Sequence, residues 1–175
     1  KTNICTKFCI MKSLPWGNVQ LLVLDVDGVL TDGGLWVAAD GSVTKRFFVR
    51  DGSGIVRLQR IGIPVCWLTG RSDPAVEARA KELGVARLIA GSHDKADALQ
   101  SLSLNMGVSL DAIAYVGDDL LDLPAIRLAG LSIAPCDAEE RVRSEVDWVA
   151  ERAGGQGVVR WVCDQLIAVN KEKNH

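Results

Sequence analysis

Leu21-Leu22-Val23-Leu24-Asp25-Val26-Asp27-Gly28-Val29 is the stretch from which the rest of this 175-residue chain is best read. Four consecutive apolar residues stop abruptly at a pair of aspartates. An unbroken apolar run of that length is the pattern of a strand buried on both faces, as in a parallel sheet. The two carboxylates then stand at the strand's carboxyl end, where they repel one another unless a cation or a proton compensates. Such pairs mark metal and acid/base sites. Aspartates that merely cap a loop would look the same, so the pair gains meaning from what other strands bring to this edge.

Outward from it, further apolar runs lie at 63–68, 86–89, 112–116 and 131–134. Helical patterns at 54–60, 73–83, 95–106, 120–129, 138–144 and 157–169 alternate with them. Strand and helix in turn predict an α/β fold, a Rossmann-like open parallel sheet wound by right-handed crossovers, with ligands at the carboxyl ends of its strands. One segment departs from that rhythm. Leu35-Trp36-Val37-Ala38 and residues 43–49 flank the turn-forming Asp40-Gly41, which predicts a β-hairpin over about 35–49. The expected organisation is a disordered leader at 1–17, one domain over 18–170 and a flexible tail at 171–175. The glycines Gly154, Gly155 and Gly157 read as a flexible lead-in to the last helix.

Composition narrows the function classes. Hydrophobic residues make up 48% of the chain and charged ones 24%, as in a folded protein. The net charge of -2, without a Lys/Arg run, lacks the footprint of a nucleic-acid binder. No stretch approaches the roughly 18 apolar residues that cross a bilayer. The five cysteines are scattered, an odd number without zinc-type spacing, which fits reduced thiols in the cytoplasm. Cys5 and Cys9 could hold a metal by spacing, but no second pair follows them.

The same sheet edge collects more chemistry. Gly117-Asp118-Asp119, with Asp122 beyond, follows the run at 112–116. Thr69-Gly70-Arg71 ends the run at 63–68, and Lys95 opens the helix after 86–89. If the first and fourth of these strands lie close together, Asp25, Asp27 and Asp118 form an oxygen-rich pocket suited to Mg2+. That ion keeps several waters and uses few carboxylates plus a phosphate. A hydroxyl, a guanidinium and an ammonium nearby suit a phosphoryl group.

In this order and at these strand ends, Asp25-Val26-Asp27-Gly28-Val29, Thr69, Lys95 and Gly117-Asp118-Asp119-Leu120-Leu121-Asp122 resemble the four motifs of the haloacid dehalogenase superfamily of phosphotransferases. The resemblance implies a magnesium-dependent phosphatase. In it Asp25 attacks phosphorus, Asp27 protonates the leaving oxygen and then activates water, and Thr69 and Lys95 bind the phosphoryl oxygens. Mg2+ would be held by Asp25, the main-chain carbonyl of Asp27, and Asp118. Neither gap between motifs has room for a cap domain.

Among capless members, residues 25–33, Arg50-Asp51-Gly52-Ser53-Gly54-Ile55 and Gly154-Gly155-Gln156-Gly157-Val158-Val159-Arg160 resemble the 3-deoxy-D-manno-octulosonate 8-phosphate (KDO 8-phosphate) phosphatases. That likeness implies a cytoplasmic homotetramer of lipopolysaccharide precursor synthesis, its hairpins forming a central barrel and neighbouring subunits serving as the cap. A sister phosphatase of a nine-carbon sialic-type 9-phosphate would share fold and chemistry. A non-catalytic assembly domain is the other alternative, and the intact Asp25, Asp27, Thr69, Lys95 and Asp118 count against it. Candidate substrate-binding residues are Arg71 with Gly70, Arg50 and Arg160, because a planar guanidinium grips a carboxylate through two hydrogen bonds; a surface ion pair is the competing reading for each. His93 reads as a loop residue, and Trp36 as a subunit contact.

Overall fold

The computed structural model describes residues 15–173. In it β1 (Leu21–Leu24) is buried along its whole length. The chain continues through β2 (Trp36–Val37), β3 (Val43–Thr44), α1 (Val49–Arg60), β4 (Val65–Leu68), α2 (Pro74–Glu82) and β5 (Arg87–Ile89). It then forms α3 (Lys95–Met106), β6 (Ile113–Val116), α4 (Leu123–Ile126), β7 (Leu131–Ala134), α5 (Glu140–Glu145), β8 (Trp148–Val149) and α6 (Val158–Lys173). Six strands make one sheet in the order β5-β4-β1-β6-β7-β8, and every pairing in it is parallel. The hairpin β2-β3 stands apart as an antiparallel ribbon.

Alternation along β1 divides the interior in two. Leu22 and Leu24 join Val65, Trp67, Val116 and Ile133 on one face, covered by Ile55 and Leu58 of α1 and Val162 and Leu166 of α6. Leu21 and Val23 join Leu68, Ile113 and Tyr115 on the other, under Leu99 and Leu102 of α3. A strand with helices over both faces has no solvent side, which is why its sequence is apolar without alternation.

Several boundaries differ from expectation for local reasons. The strand expected at 63–68 begins at Val65, after Pro64, which has no N–H to give a ladder. The first helix starts at Val49 rather than 54. Its early glycines argue against a helix by propensity, yet a side chain at Gly52 would crowd Arg79, and one at Gly54 would crowd Arg160 and Cys163. The helix expected at 120–129 is a 3-10 turn, Leu120–Asp122, followed by the short α4. β8 was not expected, being two residues long.

Of the expected leader, residues 1–14, with Cys5 and Cys9, lie outside the described residues. Pro15–Asn18 forms a 3-10 turn whose Trp16 is buried and meets Trp161 edge-on at 5.9 Å, so residues 15–17 pack onto the domain. At the other end α6 runs past 170 into the expected tail. Cys66, Cys136 and Cys163 are free thiols. Among the described residues no helix is long and apolar enough to cross a membrane.

Candidate active site

The sheet order seats β1 between β4 and β6, so the residues following these strands meet at one edge. The chain leaves β1 toward β4 and later returns to the opposite side at β6, the topology that opens a crevice outside the strand ends. Asp25 continues the ladder one residue past β1, its N–H donating to the Val116 carbonyl at 3.0 Å. The chain then turns sharply, and the N–H groups of Leu30 and Thr31 return to the Val26 carbonyl at 2.9 and 3.0 Å. Gly28 is in the left-handed region with φ +87°, and a side chain there would strike the Asp118 carboxylate.

A buried ion cluster occupies this edge. Lys95 Nζ lies 2.7 Å from Asp25 Oδ1 and 2.6 Å from Asp122 Oδ1. The Tyr115 hydroxyl donates to the same Asp122 oxygen at 2.7 Å. Asp122 Oδ2 accepts the N–H groups of Asp118 and Asp119 at 3.1 and 3.2 Å, which folds the segment after β6 back on itself. Both oxygens of Asp122 are therefore engaged, and its part is to hold Lys95 and the Asp118 loop in place.

The electrostatics are unbalanced. Burial first, then the charge of Asp122, pushes the Asp25 carboxyl from 3.8 to about 6 against the pull of Lys95. Burial, then Asp25 and Asp122, pushes Asp118 to about 8. Burial also pulls the Lys95 ammonium down, but Asp25 and Asp122 outweigh it and hold it above its ordinary value.

Asp25, Asp118 and Asp122 offer oxygens within 4.8 Å of one another, and Lys95 is the ammonium paired within that trio. With all three carboxyls ionised, two negative charges are left over beside the one ammonium, the excess that raises Asp25 and Asp118 and that a divalent cation would neutralise. Asp118 Oδ1 is buried without a hydrogen-bond partner, a donor atom still available to such an ion. These donors are hard oxygens, the class that Mg2+ prefers.

A second pairing sits beside the first. Asp27, with its side chain 23% exposed, is gripped by Lys45, whose Nζ is 2.8 Å from Oδ1 and 2.9 Å from Oδ2. The cleft, of about 280 Å³, is lined by Asp25, Asp27, Thr69, Gly70, Arg71, His93, Lys95, Asp118, Asp119 and Leu121. Thr69 is buried where β4 ends, and its hydroxyl accepts the Arg71 N–H at 3.3 Å. Asp25, Asp27, Thr69, Gly70, Arg71, Lys95 and Asp118, all named from the sequence, thus come together.

Arg50 and Arg160 do not line this cleft. Arg50 lies over the Phe48 ring at 6.0 Å, and Arg160 pairs with Asp164 one helical turn on at 2.7 Å. The glycines expected to be a flexible lead-in are packed: Gly154 and Gly155 are buried, and the Gly155 N–H donates to the Val29 carbonyl at 2.9 Å, bracing the loop that follows Asp25 and Asp27.

Residues 85–162 match the haloacid dehalogenase-like hydrolase family. Over 150 residues the chain is 42% identical to the KDO 8-phosphate phosphatase KdsC of Salmonella typhi, covering 86% of this chain and 80% of that protein. The chain belongs to the KDO 8-phosphate phosphatase family. Among solved structures, the Moraxella catarrhalis phosphatase of that family, in complex with magnesium ion, phosphate ion and KDO, superposes with a TM-score of 0.89 at 38% identity, covering 94% of each chain. The cobalt-bound Haemophilus influenzae phosphatase superposes at 0.87 and 38% identity, covering 89% of this chain and 91% of that one.

Within this family frame the residue overlooked in the sequence is Lys45. A signal was there: Val43, Lys45 and Phe47 alternate inward while Thr44 and Arg46 face out, so period-two reading places a lysine on the buried side. Tyr115 carries no such signal, since it sits inside an apolar run, where an aromatic residue reads as core.

Proposed function

We propose that the chain is a magnesium-dependent phosphomonoesterase that hydrolyses KDO 8-phosphate to the free sugar acid and phosphate through an aspartyl-phosphate on Asp25. The observation that carries this reading is the convergence of Asp25, Lys95 and Asp118 at one buried edge, in a chain of this family. Asp25, Asp118 and the main-chain carbonyl of Asp27 would hold Mg2+, which when bound supplies charge neutralisation to the phosphoryl group.

Asp25 attacks phosphorus and forms an acyl phosphate, while the ester P–O bond breaks and its electron pair leaves with the sugar oxygen. Asp27 gives that oxygen a proton. It then takes a proton from water, whose oxygen attacks phosphorus and releases phosphate with Asp25 restored. Lys95 and the Thr69 hydroxyl bind the oxygens over which charge spreads, the main demand in phosphoryl transfer. Arg71, with an exposed side chain, would meet the substrate's carboxylate.

We further propose a homotetramer in the cytoplasm, joined through the hairpin. Trp36 and Val37 are 63% and 65% exposed on a ribbon of two short strands, apolar surface that a closed symmetric assembly would bury. Arg50 and Arg160, which do not line their own cleft, would serve a neighbour's.

Phosphate release over a panel of KDO 8-phosphate, a nine-carbon sialic-type 9-phosphate and 4-nitrophenyl phosphate tests the reading, with light scattering for the assembly. KDO 8-phosphate is expected to give the highest kcat/KM by at least about tenfold, the scale of a few substrate contacts. Preference for the nine-carbon ester would reassign the substrate. No release from any ester would remove the enzyme.

A further inference from the structure

Two buried lysines grip carboxylates of the cleft in matching arrangements: Lys95, which lines it, and Lys45, which stands behind Asp27. Lys95 is pinned between Asp25, which faces the cleft, and Asp122, which is anchored by main-chain N–H groups. Lys45 is pinned between Asp27, which faces the cleft, and Asp73 at 3.5 Å. Asp73 is anchored in the same manner, its other oxygen accepting the Ala75 N–H at 2.9 Å to cap α2. Each ammonium therefore ties a carboxylate of the reaction to a fixed aspartate.

From this parallel, and resting on the function proposed above, we infer that Lys45 is a positioning residue that holds the Asp27 carboxylate in the orientation needed to pass a proton to and from the substrate oxygen.

Three features separate this role from simple core filling. The Lys45 side chain is fully shielded, and a buried ammonium is tolerated only with charged partners. It sits nearer to Asp27, at 2.8 Å, than to its structural anchor at 3.5 Å, so the closer contact goes to the group that must be aimed. And Asp27 has few other restraints: the Thr31 hydroxyl donates to Oδ1 at the long distance of 3.5 Å, and Arg71 Nε stands 4.0 Å from Oδ2. Proton transfer requires the acid within hydrogen-bond reach of the reacting oxygen, so a carboxylate free to swing loses rate without losing substrate. Lys45 directly follows β3, so the hairpin delivers the residue that aims the acid.

The experiment compares two esters of nearly the same body. The alkoxide leaving from 4-nitrobenzyl phosphate needs a proton, whereas 4-nitrophenolate departs without one. Asp27→Asn is the reference and should depress kcat/KM far more for the benzyl ester. General acid help is worth about 10²–10⁴-fold, and an orienting residue forfeits part of it, so Lys45→Met should cost the benzyl ester roughly tenfold more than the phenyl ester. KM should move little. Lys45→Arg, which keeps the charge but moves its nitrogens, should show the same selectivity in smaller measure, and it serves if Lys45→Met does not fold. Equal losses on both esters in the lysine variants, with Asp27→Asn still selective, overturn the inference and leave the function standing. An unselective Asp27→Asn would instead overturn the acid/base role of Asp27.

Discussion

Asp25 and Asp51 are both buried, and burial pushes both carboxyl groups from 3.8 to about 6, yet only Asp25 faces the cleft. Asp51, in α1, accepts the Arg160 N–H at 2.6 Å and is also hydrogen bonded by Gly157, so it clamps the first long helix to the start of α6. Each neighbourhood even contains an orphaned buried carboxylate oxygen, Asp118 Oδ1 in one and Asp51 Oδ2 in the other. What differs is company. Around Asp25 stand further carboxylates, an ammonium and an opening; around Asp51 stand main-chain N–H groups and packed glycines. A raised carboxyl thus reports burial, and only convergence with complementary groups at a cleft reports chemistry.

The strongest way to break this contrast is to remove each charge while keeping its shape. Asp25→Asn should lower phosphate release by at least about 10⁴-fold, the scale seen when a nucleophile is lost. Circular dichroism should show the fold unchanged. Asp51→Asn should leave kcat within about twofold, since an amide oxygen still accepts the Arg160 N–H. A turnover of Asp25→Asn near that of the wild type would make the two sites equivalent and sink the distinction.

Metal removal sharpens the comparison next. Activity should vanish in excess chelator and return with Mg2+. Asp118→Ala should raise the Mg2+ needed for half-maximal activity by about tenfold or more, as for loss of a group at a metal site. Asp51→Asn should not change that requirement. Full turnover in chelator would dissolve the charge argument built on Asp25, Asp118 and Asp122.

The smallest effect is on stability, and it belongs to Asp51. Its carboxyl holds a proton more tightly in the folded chain than in the unfolded one, so what Asp51 contributes to stability is greatest below about pH 4 and falls as pH rises to about 6. A shift from 3.8 to about 6 corresponds to up to about 3 kcal/mol. Urea unfolding of Asp51→Asn and wild type across pH 4–6.5 should show their gap moving by that much in the variant's favour, then levelling. A gap constant over the range would mean that the N–H groups of α6 fully offset the burial of Asp51.

The parallel sheet was legible in the sequence because strands buried on both faces must be apolar throughout. The acidic clusters were legible because carboxylates at the end of such strands conflict with their surroundings. The short Leu120–Asp122 turn and β8 were not legible, since segments this brief carry no periodicity. α1 was read five residues short because Gly52 and Gly54 oppose a helix locally, while close approach to Arg79, Arg160 and Cys163 requires them.

By itself, then, the order of apolar runs and acidic residues determined the fold class and set Asp25, Asp27 and Asp118 at strand ends, because burial and charge are written residue by residue, while Thr69 and Lys95 took their candidate roles from the resemblance of the four motifs to the haloacid dehalogenase superfamily. Which carboxylate each ammonium meets is a different kind of fact. Lys45 reaches Asp27 across 18 residues of chain, and Lys95 reaches Asp25 across 70. Such pairings follow from the sheet order and the return of the hairpin onto the cleft, and only the folded chain sets those distances.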